Sequence, residues 1–160
     1  MFWDRAGFTA CRRCKSCRQV STHLRGLTRF TSTANGKEIE IKECIACKTT
    51  HVVYALECPC GLMYIGRTKR TLTKRVSEHI YNITIGYKDH SVSLHFRDKH
   101  EKNPTGLKFW GIDRIDRNWR GANMVREISK RETQWLYWTN TLSPNGLNID
   151  VDLNCFISDH

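Results

Sequence analysis

Cysteine is the residue type whose spacing most clearly suggests chemistry in this chain. Seven of the eight cysteines fall into three close groups, which are Cys11-x2-Cys14-x2-Cys17, Cys44-x2-Cys47 and Cys58-x-Cys60. An even number of cysteines would also fit a disulfide framework. However, the N-terminal residues lack the apolar run of a secretory signal, and in a reducing compartment closely spaced cysteines usually bind metal. The spacing therefore favours metal binding.

The cysteines of residues 1–50 predict a zinc site of their own. Cys14 and Cys17 would join Cys44 and Cys47 across a 26-residue gap, and Cys11 is a substitute ligand. Basic residues lie among these cysteines, namely Arg12, Arg13, Lys15 and Arg18. Such residues on a metal-stabilised loop would suit contacts with nucleic-acid phosphates. The alternative is a solvated basic tail with unligated thiols.

Ionisable side chains interrupt the apolar faces of two predicted helices. On a helix from Thr71 to about Ile85, Arg75 and His79 are i, i+4 neighbours at the border of the apolar stripe. They could point at an anion, or the arginine could lie along the surface beside a hydrogen-bonded histidine. On a later helix Glu132 falls inside the apolar stripe. A carboxylate there is costly unless it is paired, for example with Arg75, or binds a cation such as Mg²⁺.

The elements that carry these residues predict a small α/β domain over residues 51–160. The pattern predicts two strands over residues 51–68, then the Arg75 helix, a third strand over 107–115 and a helix from about Ala122 to about Thr141. This order implies a short antiparallel sheet of about three strands. Residues 87–106 are predicted as a polar loop, and 147–157 as a short strand or extended arm. Residues 1–50 form a small cysteine-rich segment with little to bury by itself.

The motifs of residues 51–150 resemble the GIY-YIG nuclease family. They are Val52-Val53-Tyr54, Tyr64-Ile65-Gly66, the following RTKRTLTKRVSEH, the later RETQWL and Pro144-Asn145-Gly146-Leu147-Asn148. Val52 stands where the first motif usually has its glycine. The chain resembles in particular the endonuclease domain of Penelope-like retroelements, which has two cysteines between the tyrosine motifs and two histidines downstream. Here these are Cys58, Cys60, His95 and His100, a Cys2His2 zinc set. The alternative is a strained hairpin with unligated thiols and surface histidines.

The resemblance implies hydrolysis of a DNA phosphodiester with one divalent ion. Glu132 would bind Mg²⁺ or Mn²⁺, and Arg75 would neutralise charge on the pentavalent phosphorus. Tyr54 or Tyr64, helped by His79, would take a proton from the attacking water. The ordinary tyrosine pKa is about 10, so a nearby cation would have to lower it.

The remaining site residues would position the substrate. Asn148 would brace the site, and Gly66 would let its strand approach the DNA backbone closely. A run of basic residues without an acid would contact phosphates, namely Arg67, Lys69, Arg70 and Lys74. The resemblance further implies a nick in target DNA from which a reverse transcriptase of the same element primes, and therefore work in the nucleus.

Composition agrees with a polyanionic partner. The formal charge is +10, from 26 basic and 16 acidic residues, and residues 1–80 hold 15 of the basic but 6 of the acidic ones. The longest apolar run, Val52–Leu56, is far too short to span a membrane. Besides a nuclease, the sequence leaves open a zinc-stabilised DNA- or RNA-binding module with a decayed site. A structural protein–protein adaptor is the third hypothesis.

Overall fold

The computed structural model describes residues 6–9, 11, 13–15, 28–116 and 123–151. Its strands are β1 (Gly7–Thr9), β2 (Arg29–Thr31), β3 (Glu38–Glu40), β4 (Cys44–Ala46), β5 (Thr50–Glu57), β6 (Met63–Thr71) and β7 (Lys108–Arg114). Its helices are α1 (Leu72–Ile85), α2 (Ser91–Lys99) and α3 (Asn123–Thr139). The predicted mixed α/β class is confirmed. Among the described helices, none has the length and apolar character needed to cross a bilayer.

The main sheet has three antiparallel strands in the order β6-β5-β7. The central strand β5 is buried from Val52 to Leu56, which explains why the sequence there is a continuous apolar run rather than an alternating one. Tyr54 lies between two glycines, since it pairs with Gly66 on β6 and with Gly111 on β7. Strand β6 is an outer strand of this sheet, so one of its edges is available to side chains from elsewhere in the chain.

Helix α1 begins and ends where the sequence predicts. The Thr71 side chain accepts a hydrogen bond from the Lys74 amide, which caps the N-terminus. Gly86 adopts a left-handed conformation, with φ of 67°, and its amide donates to the carbonyls of the last turn. The helix buries one face, formed by Leu72, Val76, His79, Ile80 and Ile83. This packing fixes the direction in which the charged residues at the border of that face can point.

The prediction of a polar loop over residues 87–106 is wrong, because α2 lies within it. The helix buries Val92 and Phe96, and the His90 side chain caps its N-terminus by accepting the Val92 amide. So few apolar residues give no clear helical period, which is why the sequence pattern reads as a loop. His95 therefore lies on a helix, and His100 follows directly at its end.

Helix α3 ends at Thr139, two residues before the predicted end, and its buried face is partly polar. Val125 is apolar and lies on the helix, but its side chain is 48% exposed. Ser129, Thr133 and Thr139 are buried instead, and each hydroxyl donates to the carbonyl four residues earlier in the helix. These internal hydrogen bonds allow hydroxyl side chains to face the core. The end of the predicted tail, beyond residue 151, lies outside the described residues.

The described residues before Thr50 share a core with the sheet. The Phe8 ring packs edge-on against Phe109 of β7, with centroids 5.9 Å apart. Phe30 packs against Trp110 of β7 and Trp135 of α3 at 5.5 and 6.1 Å. Aromatic pairs of this kind contribute about 0.5–1.5 kcal/mol beyond their buried area. This segment therefore has more apolar surface to bury than its composition suggests.

Candidate active site and metal clusters

Two tyrosines from neighbouring strands meet over a glycine. Tyr54 of β5 and Tyr64 of β6 have ring centroids 6.4 Å apart. A Cβ atom added at Gly66 would lie 2.5 Å from both Cζ and the hydroxyl of Tyr54, and 2.8 Å from Cε1 of Tyr64. The structure thus explains the glycine at position 66 by side-chain packing, whereas the sequence led us to expect a close approach of the DNA backbone. Only glycine leaves room for the Tyr54 ring beside Tyr64.

The Tyr54 hydroxyl joins two residues of α1. It accepts a hydrogen bond from Arg75 Nε at 3.0 Å and lies 2.7 Å from His79 Nε2. Tyr54 is completely buried, so its own proton needs an acceptor within the protein. An unprotonated His79 Nε2 supplies one. The pKa of His79 is far below its usual value because of burial, with Arg75 adding to the effect, and this agrees with a neutral imidazole.

Burial raises the pKa of both tyrosines. For Tyr54 burial is the largest cause, and nearby Tyr64 adds to it, while Arg75 acts in the opposite direction. For Tyr64 burial is again largest, followed by the charge of Glu132. The protein alone therefore does not lower the pKa of a tyrosine as a general base requires. The two tyrosines differ in access, since Tyr54 is completely buried and Tyr64 is partly exposed.

Glu132 reaches the same region from α3. Its carboxylate accepts a hydrogen bond from Arg67 Nη1 at 2.8 Å. It is also close enough to Tyr54 and Tyr64 for its charge to raise the pKa of each hydroxyl. The ion pair considered from the sequence was with Arg75, but Arg75 pairs with Glu78, at 2.9 Å. A charged partner accounts for an acid within the apolar stripe of α3.

Asn148 closes the outer edge of β6. Its Oδ1 accepts the Ile65 amide at 2.9 Å, and its Nδ2 donates to the Ile65 carbonyl at 2.7 Å. Ile65 stands between Tyr64 and Gly66, so these two bonds fix the backbone of the second tyrosine motif. Next to Asn148, the Leu147 amide donates to the Met63 carbonyl at 2.8 Å. Asn148 therefore holds the strand that carries Tyr64 and Gly66, and its role in an active site stays a prediction.

His90 belongs to the site although the sequence did not single it out. Its ring packs edge-on against His79 and Tyr64, with centroids 4.8 and 5.3 Å away. Because Nδ1 accepts the Val92 amide, its position depends on α2. Burial, followed by the charge of Arg75, lowers the pKa of His90 to about 4. No motif spacing marks this residue, and only a prediction of α2 and its cap could have found it.

In the folded protein, acidic side chains neutralise part of the charge of the basic run after Gly66. Arg67 pairs with Glu132, and Arg70 and Arg75 both pair with Glu78. These arginines therefore meet acids that the sequence places outside the run. The lysines of the run, Lys69 and Lys74, are exposed. Contact with a nucleic-acid backbone would then depend on the lysines, or on phosphates that displace the acids.

One Cys/His cluster links the turn before β6 to α2. Ligand atoms of Cys58, Cys60, His95 and His100 all lie within 4.8 Å of one another. His95 Nε2 is 3.4 Å from Cys58 Sγ and 3.2 Å from Cys60 Sγ, and a disulfide joins the two cysteines in this structure. The buried Nε2 of His100 has no hydrogen-bond partner among the described residues. With the thiols reduced, this cluster could hold a metal such as zinc.

A second cluster joins Cys11, Cys14 and Cys47, whose sulfurs also lie within 4.8 Å of one another. This cluster too could hold a metal. Cys11, expected only as a substitute ligand, is thus a member, and Cys44 is not. Cys17 lies outside the described residues.

Comparisons of the chain with protein-family models, curated proteins and solved structures found no match. The functional argument therefore depends on the arrangement of side chains. Residues from two strands, two helices and the segment after α3 assemble around Tyr64, and two groups of metal-ligand type lie in other parts of the chain.

Proposed function

We propose that this chain is a metal-dependent endonuclease of the GIY-YIG type that hydrolyses a phosphodiester bond in DNA. The observation that carries the proposal is the meeting of five side chains, distant in sequence, beside edge strand β6. They are Tyr54, Tyr64, Arg75, His79 and Glu132. Together they offer a fixed cation, a carboxylate and a proton acceptor, which are the groups needed to attack a negatively charged diester.

Arg75 is the cation that would stabilise the transition state. Its side chain is a quarter exposed, and it is fixed by the Tyr54 hydroxyl and by Glu78. A guanidinium held by its neighbours can donate to phosphate oxygens without first losing much conformational freedom. Its hydrogen bonds would strengthen as charge builds on phosphorus, which lowers the barrier.

Glu132 is the residue that we assign to the catalytic divalent ion, Mg²⁺ or Mn²⁺. One carboxylate suffices, because Mg²⁺ keeps several waters and takes further oxygens from a substrate phosphate. The ion would supply positive charge at the leaving oxygen. Arg67 holds Glu132 Oε1 at 2.8 Å and so orients the carboxylate.

Tyr64 is the tyrosine that we assign to the attacking water. Tyr54 has no exposed surface, and its hydroxyl is held between Arg75 and His79, so it is a positioning residue. Tyr64 is partly exposed and can meet water. The charge of Glu132 is one cause of its raised pKa. Neutralising that carboxylate would therefore make the Tyr64 phenolate more accessible.

We assign Cys58, Cys60, His95 and His100 to a structural zinc ion. Burial lowers the pKa of His95 and favours its neutral, metal-binding form. A metal would also give the buried, unpartnered face of His100 an interaction. The ion would tie the turn before β6 to α2, and α2 holds His90 against Tyr64. Zinc would therefore support the site without taking part in the reaction.

The biological setting that we propose follows the resemblance to Penelope-like retroelements. The nick would give a reverse transcriptase of the same element a 3′ end on target DNA, and the protein would act in the nucleus. The charge of +10 supports a nucleic-acid partner.

The test is nicking of supercoiled plasmid in Mg²⁺ by the reduced, zinc-loaded protein. Arg75→Ala and Glu132→Gln should each lose about 10²–10³-fold in rate. The matched control is Glu127→Gln, since Glu127 lies on the same helix and pairs with Arg131 instead. If all four proteins retard the plasmid equally and none nicks it, the chain is a binding module and the nuclease proposal fails.

A further inference from the structure

Three sulfurs from two separate segments of the chain converge at the start of α1. Cys11 and Cys14 belong to the N-terminal segment, and Cys47 lies in the turn between β4 and β5. The Cys47 side chain is buried, with 1% exposure. Zinc with Zn–S bonds of about 2.3 Å in tetrahedral geometry brings its sulfurs within about 4 Å of one another. The three sulfurs all lie within 4.8 Å of one another, which is compatible with that spacing.

Backbone amides point at two of these sulfurs. The Cys14 amide donates to Cys11 Sγ, and the Cys11 amide donates to Cys47 Sγ, each at 3.4 Å. Amide donors spread the negative charge of a thiolate, which is the form of cysteine that binds metal. The surrounding backbone thus favours charged sulfur at Cys11 and Cys47, an environment that unligated thiols would not need.

The cluster is tied to the first turn of α1 through Thr73. The Thr73 amide and hydroxyl both donate to the Cys47 carbonyl, at 2.9 and 2.8 Å. The same hydroxyl lies 4.0 Å from Cys14 Sγ. The first of these bonds satisfies the Thr73 amide, which the N-terminus of a helix cannot pair internally. Thr73 is two residues before Arg75, so the cluster lies next to the turn that positions the proposed catalytic arginine.

We propose that Cys11, Cys14 and Cys47 bind a second metal ion, of the zinc class, that anchors the N-terminal segment to α1. Three thiolates select Zn²⁺ over hard ions such as Mg²⁺. A water or one more side chain completes the tetrahedron. The ion closes a loop between residues 11 and 47 and fixes the Cys47 carbonyl on which Thr73 depends. This site is separate from the Cys58 cluster and does not depend on the nuclease assignment.

The test is the zinc content of the full chain, purified under reducing conditions. The parent should hold two equivalents, and Cys11→Ser and Cys47→Ser should each hold one. The matched control is Cys44→Ser, because Cys44 lies near Cys47 in sequence but outside the cluster, and it should keep two. Cys11 is exposed, so Cys11→Ser leaves the core intact even if Cys47→Ser fails to fold.

A second measurement identifies the ligands and the anchor. In a His95→Ala, His100→Ala background, one equivalent of Co²⁺ should give a thiolate-to-cobalt charge-transfer band that Cys11→Ser abolishes. Stripping the metal should also speed amide hydrogen exchange in residues 72–76. A Cys11→Ser protein with unchanged zinc content, or a background that gives no thiolate band, would overturn the metal site. Unchanged exchange in α1 would overturn the anchor.

Discussion

The tyrosine site and the Cys58 cluster are organised in opposite ways. Around Tyr54 the protein supplies partners for its own polar groups, because Arg75, the tyrosine hydroxyl and His79 form a continuous chain of hydrogen bonds. In the Cys58 cluster, four ligand atoms crowd within 4.8 Å, and the buried His100 Nε2 has no partner among the described residues. The polar groups of the first site are satisfied by the folded protein itself, whereas those of the second could be satisfied by a bound ion.

This difference separates two kinds of stability. A hydrogen-bonded network that is satisfied internally is lost only when a member is changed, because each removal leaves a buried partner unsatisfied. A metal cluster is also lost when the ion is removed, since the binding free energy contributes directly to folding. Chelation should therefore weaken the region around α2, and substitution should weaken the region around Tyr54.

Removal of zinc should have the largest effect. We expect a chelator to lower the free energy of unfolding of the reduced protein by about 4 kcal/mol for each bound ion, the value for one site at a thousandfold excess of free ion over its Kd. Urea unfolding with and without chelator measures it. His95→Ala should respond less, because one site is already lost. If chelator does not move the unfolding midpoint, neither cluster is stabilised by a metal ion, and the contrast with the hydrogen-bonded network of Tyr54 fails.

Substitution of Gly66 should come next. A Cβ at this position would meet the Tyr54 ring at 2.5 Å, so Gly66→Ala should destabilise the protein by about 1–3 kcal/mol through overpacking. The double variant Tyr54→Leu, Gly66→Ala tests the cause, since a smaller side chain at 54 should make the combined loss less than the sum of the single losses. Additive losses would show that the strand, and not the tyrosine, requires glycine.

Local patterns predicted the elements whose signals are continuous along the chain. The apolar run of β5 and the helical period of α1, with Gly86 at its end, are properties of neighbouring residues. Helix α2 was missed because its buried face holds few apolar side chains and its cap is His90, a residue outside the usual set. The unusual cap also explains why a histidine of the site was overlooked.

Long-range pairings could not be predicted from spacing. Cys44 lies in β4 opposite Gly7, and Cys47 follows in the turn. Three residues of extended chain separate two cysteines by up to about 10 Å, so the pair does not act as one unit as the x2 spacing suggested. The predicted partner of Glu132 was wrong for a similar reason. Arg67 and Arg75 are both plausible ion-pair partners when only the sequence is known, and the fold brings Arg67 to α3.

Removal of the tyrosine hydroxyls should distinguish positioning from proton transfer. Tyr54→Phe leaves Arg75 Nε and His79 Nε2 without their shared partner, and we expect a loss of about 1–2 kcal/mol in stability together with reduced nicking. Tyr64→Phe should leave stability nearly unchanged and reduce the nicking rate by about 10²-fold or more. Urea unfolding and plasmid nicking on both variants measure this. The reverse pattern would make Tyr54 the base.

Acid should have the smallest effect, and it acts through the two histidines of the tyrosine site. Burial lowers the pKa of His79 and, to about 4, that of His90, while histidine in an unfolded chain titrates near about 6.5. These histidines therefore take up protons less readily in the folded state than in the unfolded state. This contribution to stability is fully present above the unfolded value and is lost as the pH falls toward about 4.

We expect metal-free protein to lose on the order of 1 kcal/mol between about pH 7 and about pH 5, with the effect of His90 reduced by its partial exposure. Working without metal removes acid release of zinc as a cause. His90→Asn is the informative variant, because asparagine can still cap α2 but does not titrate, so its stability should fall less steeply with acid. If the slope of stability against pH is the same in this variant, His90 takes up its proton without disturbing the site. The acid sensitivity would then come from the hydrogen-bonded chain of Tyr54 and His79 alone.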